Sequence, residues 1–342
     1  MRAFWNTVQL GHAPRFFLQR GQIRANYEIA ARAEALLDGC RAVGLEIDTP
    51  HAADAGAMQS IHTADYIAFL EHGFAEWSAQ PDAGAEIVAS AHPAREAALP
   101  RRPASILGRA GWFMADAACP IGAHTWTAVA AAAGCALAAA DEAAAGRSAY
   151  ALARPPGHHA YPSQAGGHCY VNNAALAAER LRARGAARVA VLDIDSHHGN
   201  GTQGIFWRRG DVLFVSVHGD PDRYYPWFTG RADERGEGAG GGYTVNLPLA
   251  LGTGDGGWLD AIAHGGAHIR AFGAEALVVS LGFDPSKDEP LNALAVTEDG
   301  FARAGEAIGV LGLPTAIIQE GGYNVSLLGT LLARFMTGFG GG

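Results

Sequence analysis

The sequence predicts an α/β fold with a mostly parallel sheet, on three observations. Through its second half, short apolar runs rich in β-branched residues alternate with helical patterns, the rhythm of strand–helix–strand units with helices on both faces. Four of those runs end in reactive side chains: His158 and His159, then Asp195 and His197, then Asp284, then Tyr323. Ligands of such sheets bind beyond the C-terminal ends of the strands, so this fold class gathers all four groups in one crevice.

Taken in order, Ala3–Phe4–Trp5 reads as a first strand, followed by a loop rich in arginine and aromatic residues through Phe16, Phe17, Arg20, Arg24 and Tyr27. Ala30 to Val43 has a helical period, and Gly44 closes it as a C-cap. His51 to Tyr66 leads into a helix reaching about Glu71. Residues 79–122 are the least regular part, with Pro81, Pro93, Pro100, Pro103 and Pro120 around Trp112, Phe113 and Met114. An insertion that keeps aromatic residues among prolines predicts a binding lid or an oligomer contact, with an exposed apolar patch covered by a partner. The alanine-rich run from Thr127 to Ala145 is interrupted by Gly134, Asp141 and Glu142, so it reads as a packed helix and not a membrane span.

Ala149 to Ala153 is a strand running into Arg154–Pro155–Pro156–Gly157–His158–His159. A tight turn at Gly166–Gly167–His168–Cys169–Tyr170 precedes a helix from Asn172 to Arg184, closed by Gly185. Further strands follow at Val189–Ile194 and Val212–His218, at Ala276–Asp284 ending on an acid, and at Thr315–Tyr323 ending on a Gly-Gly-Tyr turn. The glycine-rich loop at Gly236–Gly242 lacks the Lys-Ser/Thr ending of a phosphate-binding loop.

The chemistry centres on the run from Arg188 to Thr202. Side chains alternate along a strand, so Asp193, Asp195 and His197 point to one side if the strand persists. Two carboxylates and an imidazole suit zinc, or iron, cobalt or manganese in the same geometry. Asp195, His197 and Asp284 give three ligands and leave a position open for water and substrate. A metal there lowers the pKa of its water and polarises a carbonyl. His158 and His159 supply a general base and a general acid beside it. Tyr323, after two glycines, can place a phenol opposite the metal to donate to a developing oxyanion. The parts describe metal-assisted hydrolysis of an amide.

Composition narrows the partners. The chain has 342 residues and a formal net charge of −9, giving no global attraction to nucleic acid. Cys40, Cys119, Cys135 and Cys169 show no Cys-x-x-Cys spacing and read as reduced thiols of a cytoplasmic protein. The N-terminus has no apolar signal region, and no run is long enough to span a bilayer, so neither membrane nor nucleic acid is expected as a partner.

The motifs PPGHH, GGHCYVNNAA, VAVLDIDSHHGNGTQ, FVSVHGDP, LGFD and EGGY resemble, in order and spacing, those of the zinc-dependent histone deacetylase-like amidohydrolases. The resemblance runs strongly from about Ile61, and length and insertion look most like the bacterial acetylpolyamine amidohydrolases of that family. It implies the three-layer arginase/deacetylase fold with a central eight-stranded, mostly parallel sheet, as one domain over residues 1–342. It implies one zinc ion on Asp195, His197 and Asp284, with His158 and His159 as the tandem acid/base pair and Tyr323 as the carbonyl-polarising phenol. By the same resemblance Asp193 orients His158 and Asn200 orients His159. A structural potassium ion is implied at Asp193, Asp195, His197, Ser216 and Val217, and a second at Phe206, Arg209, Val212 and Tyr243 through backbone carbonyls. Gly167, His168 and Tyr225 are the implied substrate tunnel. A homodimer whose loops narrow the active-site mouth, and a small acylated amine as substrate, complete the expectation.

The chain departs from the family pattern in places. Ser196 stands where an apolar residue is usual, His168 where Phe or Tyr is usual, and Glu289 where Asp is common. Between Ala97 and Ala118 the only acid is Asp116, while Arg101, Arg102 and Arg109 are basic, so the loop offers little to hold a polyamine cation. Three other readings compete. A binuclear manganese ureohydrolase would need a second carboxylate near Asp284, where Pro285 and Ser286 stand. A silent acyl-amine-binding module would not need Tyr323, His158 and His159. A protein lysine deacetylase would need a wider mouth.

Overall fold

A computed structural model describes residues 1–94, 101–291 and 293–341. The strands are β1 (Arg2–Phe4), β2 (Phe16–Gln19), β3 (Gln22–Ala25), β4 (Glu46–Asp48), β5 (Ala149–Ala151), β6 (Val189–Asp193), β7 (Val212–Gly219), β8 (Thr244–Leu249), β9 (Ala276–Leu281) and β10 (Thr315–Gln319). The helices are α1 (Ala31–Ala42), α2 (Ala55–Met58), α3 (Ala64–Ser78), α4 (Ile106–Phe113), α5 (Thr125–Ala144), α6 (Asn173–Ala183), α7 (Asn200–Phe206), α8 (Asp255–Phe272), α9 (Glu298–Gly309) and α10 (Val325–Gly341).

Eight strands form one sheet in the order β4-β1-β5-β10-β9-β6-β7-β8, and every pairing in it is parallel. This is the expected three-layer α/β arrangement. One face is covered by α1, α8, α9 and α10, whose Leu36, Trp258, Phe301 and Phe335 pack on Leu192, Val215, Val279 and Ile317. The other face is covered mainly by α5 and α6 and is nearly an alanine layer. Ala132, Ala136, Ala139, Ala140 and Ala143 of α5 and Ala174, Ala175, Ala177 and Ala178 of α6 meet Ala149 and Ala151 of β5 there. Small side chains bring helix and sheet close, so dispersion contacts replace the bulk of larger residues. α5 is the one helix among the described residues long and apolar enough to cross a membrane, yet 67% of its most apolar window is buried inside the chain, as in a core helix.

The structure departs from the sequence reading in its N-terminal half. The arginine-rich segment after the first strand is an antiparallel hairpin, β2–β3, not a loop. α3 continues to Ser78, about two turns beyond Glu71. The irregular insertion contains α4, started by Ser105, whose hydroxyl accepts from Leu107 N at 3.3 Å. α4 also overturns the exposed patch expected at Trp112–Met114. Phe113 and Met114 are fully buried in a third cluster with Tyr66, Phe69, Ile121 and Tyr170. Phe113 and Met114 therefore serve the chain's own core, while Leu107 of α4 is exposed; the part at residues 95–100 lies outside the described residues.

Candidate active site

The strands that carry the reactive residues are neighbours, β5-β10-β9-β6, in the middle of the sheet. β6 ends at Asp193, and the chain then leaves the strand, so Asp193 and Asp195 face different partners. Asp193 Oδ2 lies 3.0 Å from His158 Nδ1, and its Oδ1 accepts from Asp195 N at 3.1 Å. Asp195 Oδ1 lies 3.0 Å from His197 Nδ1, and its Oδ2 accepts from Gly321 N at 2.9 Å. Asp284, just past β9, accepts from Ser196 N at 2.7 Å and puts Oδ2 3.0 Å from His197 Nδ1.

One donor atom each of Asp195, His197 and Asp284 thus lies within 4.8 Å of the others, all three residues buried. The chemistry of this set fits a divalent ion: two carboxylates crowd one imidazole nitrogen that can donate to only one of them, and a cation satisfies both. The backbone is shaped around it. A Cβ on Gly282 would come within 2.1 Å of Asp195 Oδ2, and one on Gly321 within 2.3 Å of Asp284 Oδ2. A second group, His158, Cys169 and Glu320, is also close and buried. Glu320 there already accepts from Gly157 N at 2.7 Å, His158 N at 3.1 Å and Ser280 Oγ at 3.1 Å. Burial pushes the Cys169 thiol well up, so that cluster is hydrogen-bonded scaffolding.

The two histidines sit in contrasting surroundings. Burial disfavours the imidazolium of His158, but Asp193 and Asp195 outweigh it and hold the pKa up at about 10. His159 is pushed well below the ordinary value by burial and by the positive His158 and His197. Its Nδ1 is 2.6 Å from Asn200 Oδ1, an uncharged acceptor, which directs Nε2 as the free lone pair. The ring centroids of His158 and His159 are 4.0 Å apart, so the turn does bring both rings into the site.

Tyr323 is buried beside them, with its ring 5.7 Å from His168 and 6.5 Å from Tyr27. On the other side the ring of Tyr225 stands edge-on to His159 at 4.9 Å. Gly167 lies between, at φ +53, where a Cβ would meet the His159 ring at 2.4 Å. His168 and Tyr225 thus flank Gly167, the three residues that the resemblance implies as a substrate tunnel.

Several groups were invisible to sequence reasoning. Asp116 accepts from Gly167 N at 3.1 Å and from the Tyr225 hydroxyl at 2.6 Å, tying the two loops together. Tyr224 stacks on His197 at 4.5 Å, and its hydroxyl meets Ser196 Oγ at 3.3 Å, which accounts for a polar residue at 196. Arg32 of α1 donates to the carbonyls of Glu320 at 2.7 Å and Gly322 at 2.6 Å and lies over the Tyr323 ring at 4.7 Å. Glu28 pairs with Arg32 at 2.6 Å and with Arg154 at 2.9 Å, all fully buried. Glu28 and Arg32 are four apart, but the other partners lie far apart in the chain, so sequence spacing offers no signal for them.

A buried Asp–His–Asp donor set with two oriented imidazoles, beyond the C-terminal ends of adjacent parallel strands, defines a metal-dependent hydrolase of linear amides. The chain belongs to the histone deacetylase family: residues 21–339 match the histone deacetylase domain. It is 44% identical over 341 residues to an acetylpolyamine amidohydrolase of Burkholderia pseudomallei (strain 1710b), covering 99% of each. It is 42% identical over 332 residues to acetylpolyamine amidohydrolase 2 of Pseudomonas aeruginosa, covering 96% of each. A crystal structure of acetylpolyamine aminohydrolase from Burkholderia pseudomallei matches with a TM-score of 0.95 over 99% of this chain and 98% of that one. The HDA15 HD domain matches at 0.82, with 28% identity, over 99% of this chain and 88% of that one.

Proposed function

We propose that the protein is a zinc-dependent hydrolase that deacetylates small acylated amines in the cytoplasm. The observation that carries the reading is the convergence of Asp195, His197 and Asp284 on one buried point beside His159 and Tyr323. Those three residues would hold the ion, which when bound polarises the amide carbonyl and acidifies water.

The chain's own groups divide the proton chemistry. Neutral His159 takes a proton from the attacking water on Nε2 and passes it to the amine nitrogen as the C–N bond breaks. His158, kept positive by Asp193, stays an imidazolium and favours the negative charge growing on the carbonyl. Tyr323 keeps its proton, its pKa raised well above the ordinary value by burial, and donates to the same oxygen. His168 is held neutral, its pKa lowered to about 4 by burial, so the implied tunnel carries no charge of its own there.

The relatives, acetylpolyamine amidohydrolases by name, support a small substrate, and so do the aromatic rings of His168 and Tyr225 set close beside Tyr323 and His159. We further propose structural potassium ions, one at Asp193, Asp195, His197, Ser216 and Val217 and one at Phe206, Arg209, Val212 and Tyr243. Adjacent β6 and β7 support the first, since Asp193 and Ser216 pair in register. One domain over 1–342, assembled as a homodimer through the 79–122 insertion, completes the proposal; with Phe113 and Met114 turned inward, that contact would use other residues of the insertion. Turnover of acetylated diamines, neutral acetamides and an acetyl-lysine peptide by the zinc-loaded enzyme tests the reading. A preference for the peptide above about tenfold, some 1.4 kcal/mol of transition-state binding, overturns it.

A further inference from the structure

We propose that α8 carries a separate metal site, on His264 and His268, for one divalent ion of the zinc, nickel or copper class. The two Nε2 atoms lie 3.3 Å apart, with ring centroids at 4.9 Å and planes at 74°. The residues are four apart on a helix and so share one side of it, toward solvent.

The spacing is that of two ligands on one ion. Bonds of about 2.0–2.1 Å meeting at a tetrahedral angle put two nitrogens roughly 3.3 Å apart. The χ2 torsion of histidine is soft, so both lone pairs turn to a common point without moving the backbone. Burial, with His264 and Arg235 nearby, lowers the pKa of His268, which keeps it in the neutral, metal-binding form. Arg235 is the opposing charge. Asp260, exposed one turn before His264, brings a carboxylate to the same side. Imidazole pairs select borderline transition ions over magnesium and calcium.

This pair is apart from the catalytic cluster. α8 packs along β7 and β8, whereas Asp195, His197 and Asp284 lie beyond the ends of β6 and β9. Water would complete the coordination, so the ion binds more weakly and exchanges faster than one in the buried cluster.

The test is calorimetric titration of nickel into enzyme whose tight zinc has been counted beforehand, repeated with His264→Ala and His268→Ala. Alanine keeps the helix. The expected result is one further equivalent in the native chain, weakened at least tenfold by either substitution, with the tight zinc and the amide-hydrolysis rate of both variants unchanged. Copper should show nitrogen hyperfine splitting that is lost in the same variants. The absence of a further equivalent, or one that survives both substitutions, overturns the site. Because both readouts concern α8 alone, a failure of the catalytic reading would show instead in the tight zinc count.

Discussion

Both carboxylate oxygens of Glu289 accept the backbone N–H of Tyr323, at 2.9 and 3.0 Å, and one also accepts from Asn324 N at 3.2 Å. Glu289 is buried, and burial together with the nearby Asp284 raises its carboxyl, while the N–H groups of Tyr323 and Asn324 pull the other way and favour the carboxylate they bind. A side chain that never reaches the reaction centre thereby fixes the backbone of the residue that does. Glu289→Gln leaves one acceptor and turns an N–H₂ toward the backbone donors. We expect kcat to fall about tenfold, the worth of one misplaced hydrogen bond near 1.4 kcal/mol, with KM and zinc content unchanged. Glu289→Asp should recover part of the loss. Steady-state kinetics that find kcat of the glutamine variant near that of the native chain would refute the positioning role.

In the proposed reaction Tyr323 itself donates to the carbonyl oxygen. Tyr323→Phe should lower turnover by roughly a hundredfold or more, the usual loss for one oxyanion donor. Zinc content and thermal midpoint should stay the same, since the hydroxyl makes no packing contact the ring does not. Near-normal turnover would remove Tyr323 from the mechanism.

One tight transition ion per chain is expected at Asp195, His197 and Asp284. Chelation should abolish amide hydrolysis, and zinc or cobalt should restore it. Asp284→Asn should lose the tight ion as read by elemental analysis. A variant that retains the tight ion in full would place it elsewhere.

Asp116 is the only acid between Arg101 and Gly122, and its oxygens are taken by Ala118 N, Gly167 N and the Tyr225 hydroxyl. That leaves it occupied with the residues of the implied tunnel. Asp116→Asn should raise KM for acetylputrescine and for a neutral acetamide of equal length alike. A loss confined to the cationic substrate would instead mean that Asp116 reads the distal charge. Sedimentation of the same samples tests the homodimer, for which a monomer is the contrary result.

Buried Glu28 neutralises two arginines. Burial opposes its ionisation, but Arg154 and Arg32 outweigh this and hold the carboxyl below its ordinary value. A depressed carboxyl contributes stability that is full above its unfolded value and is lost as pH falls through the folded one. Glu28→Gln leaves both guanidinium groups buried without their partner, at a cost of about 3–5 kcal/mol. Thermal melts at pH 7 should show a large drop, and the native chain should lose its excess stability over the variant on acidification. Equal midpoints at pH 7 would show that the pair contributes nothing.

The sequence made the strand ends legible because each joins an apolar β-branched run to a reactive residue, and the parallel fold brings such ends together whatever the loops do. Asp195, His197, Asp284, His158 and His159 could be found this way. Glu289, Glu320, Arg32 and Asp116 could not. Each is a single charged residue that, read alone, belongs on a surface, and the contacts that tie it to the site reach across the chain, 34 positions from Glu289 to Tyr323 and 290 from Arg32 to Gly322. Phe113 and Met114 were misread for a related reason. Prolines around them hid the short helix whose inner face Phe113 occupies and which Met114 caps. β4 and β8 are short or half-buried and carry no reactive ending, so only the resemblance supplied an eight-stranded count.

The alanine layer between α5, α6 and β5 sets a limit on how this enzyme can change. β5 leads into the segment that carries the tandem histidines, and the helix residues clustered with it are mostly alanines. Any larger residue at Ala136, Ala140 or Ala175 must lever a helix away from the strand that aims His158 and His159. In a library of random variants, that interior should tolerate almost nothing and should register as lost activity in otherwise soluble protein. The rim around Asp116 and Tyr225 hangs on separate loops. New substrate preferences should therefore arise there, in a scaffold whose rigidity comes from side chains too small to rearrange.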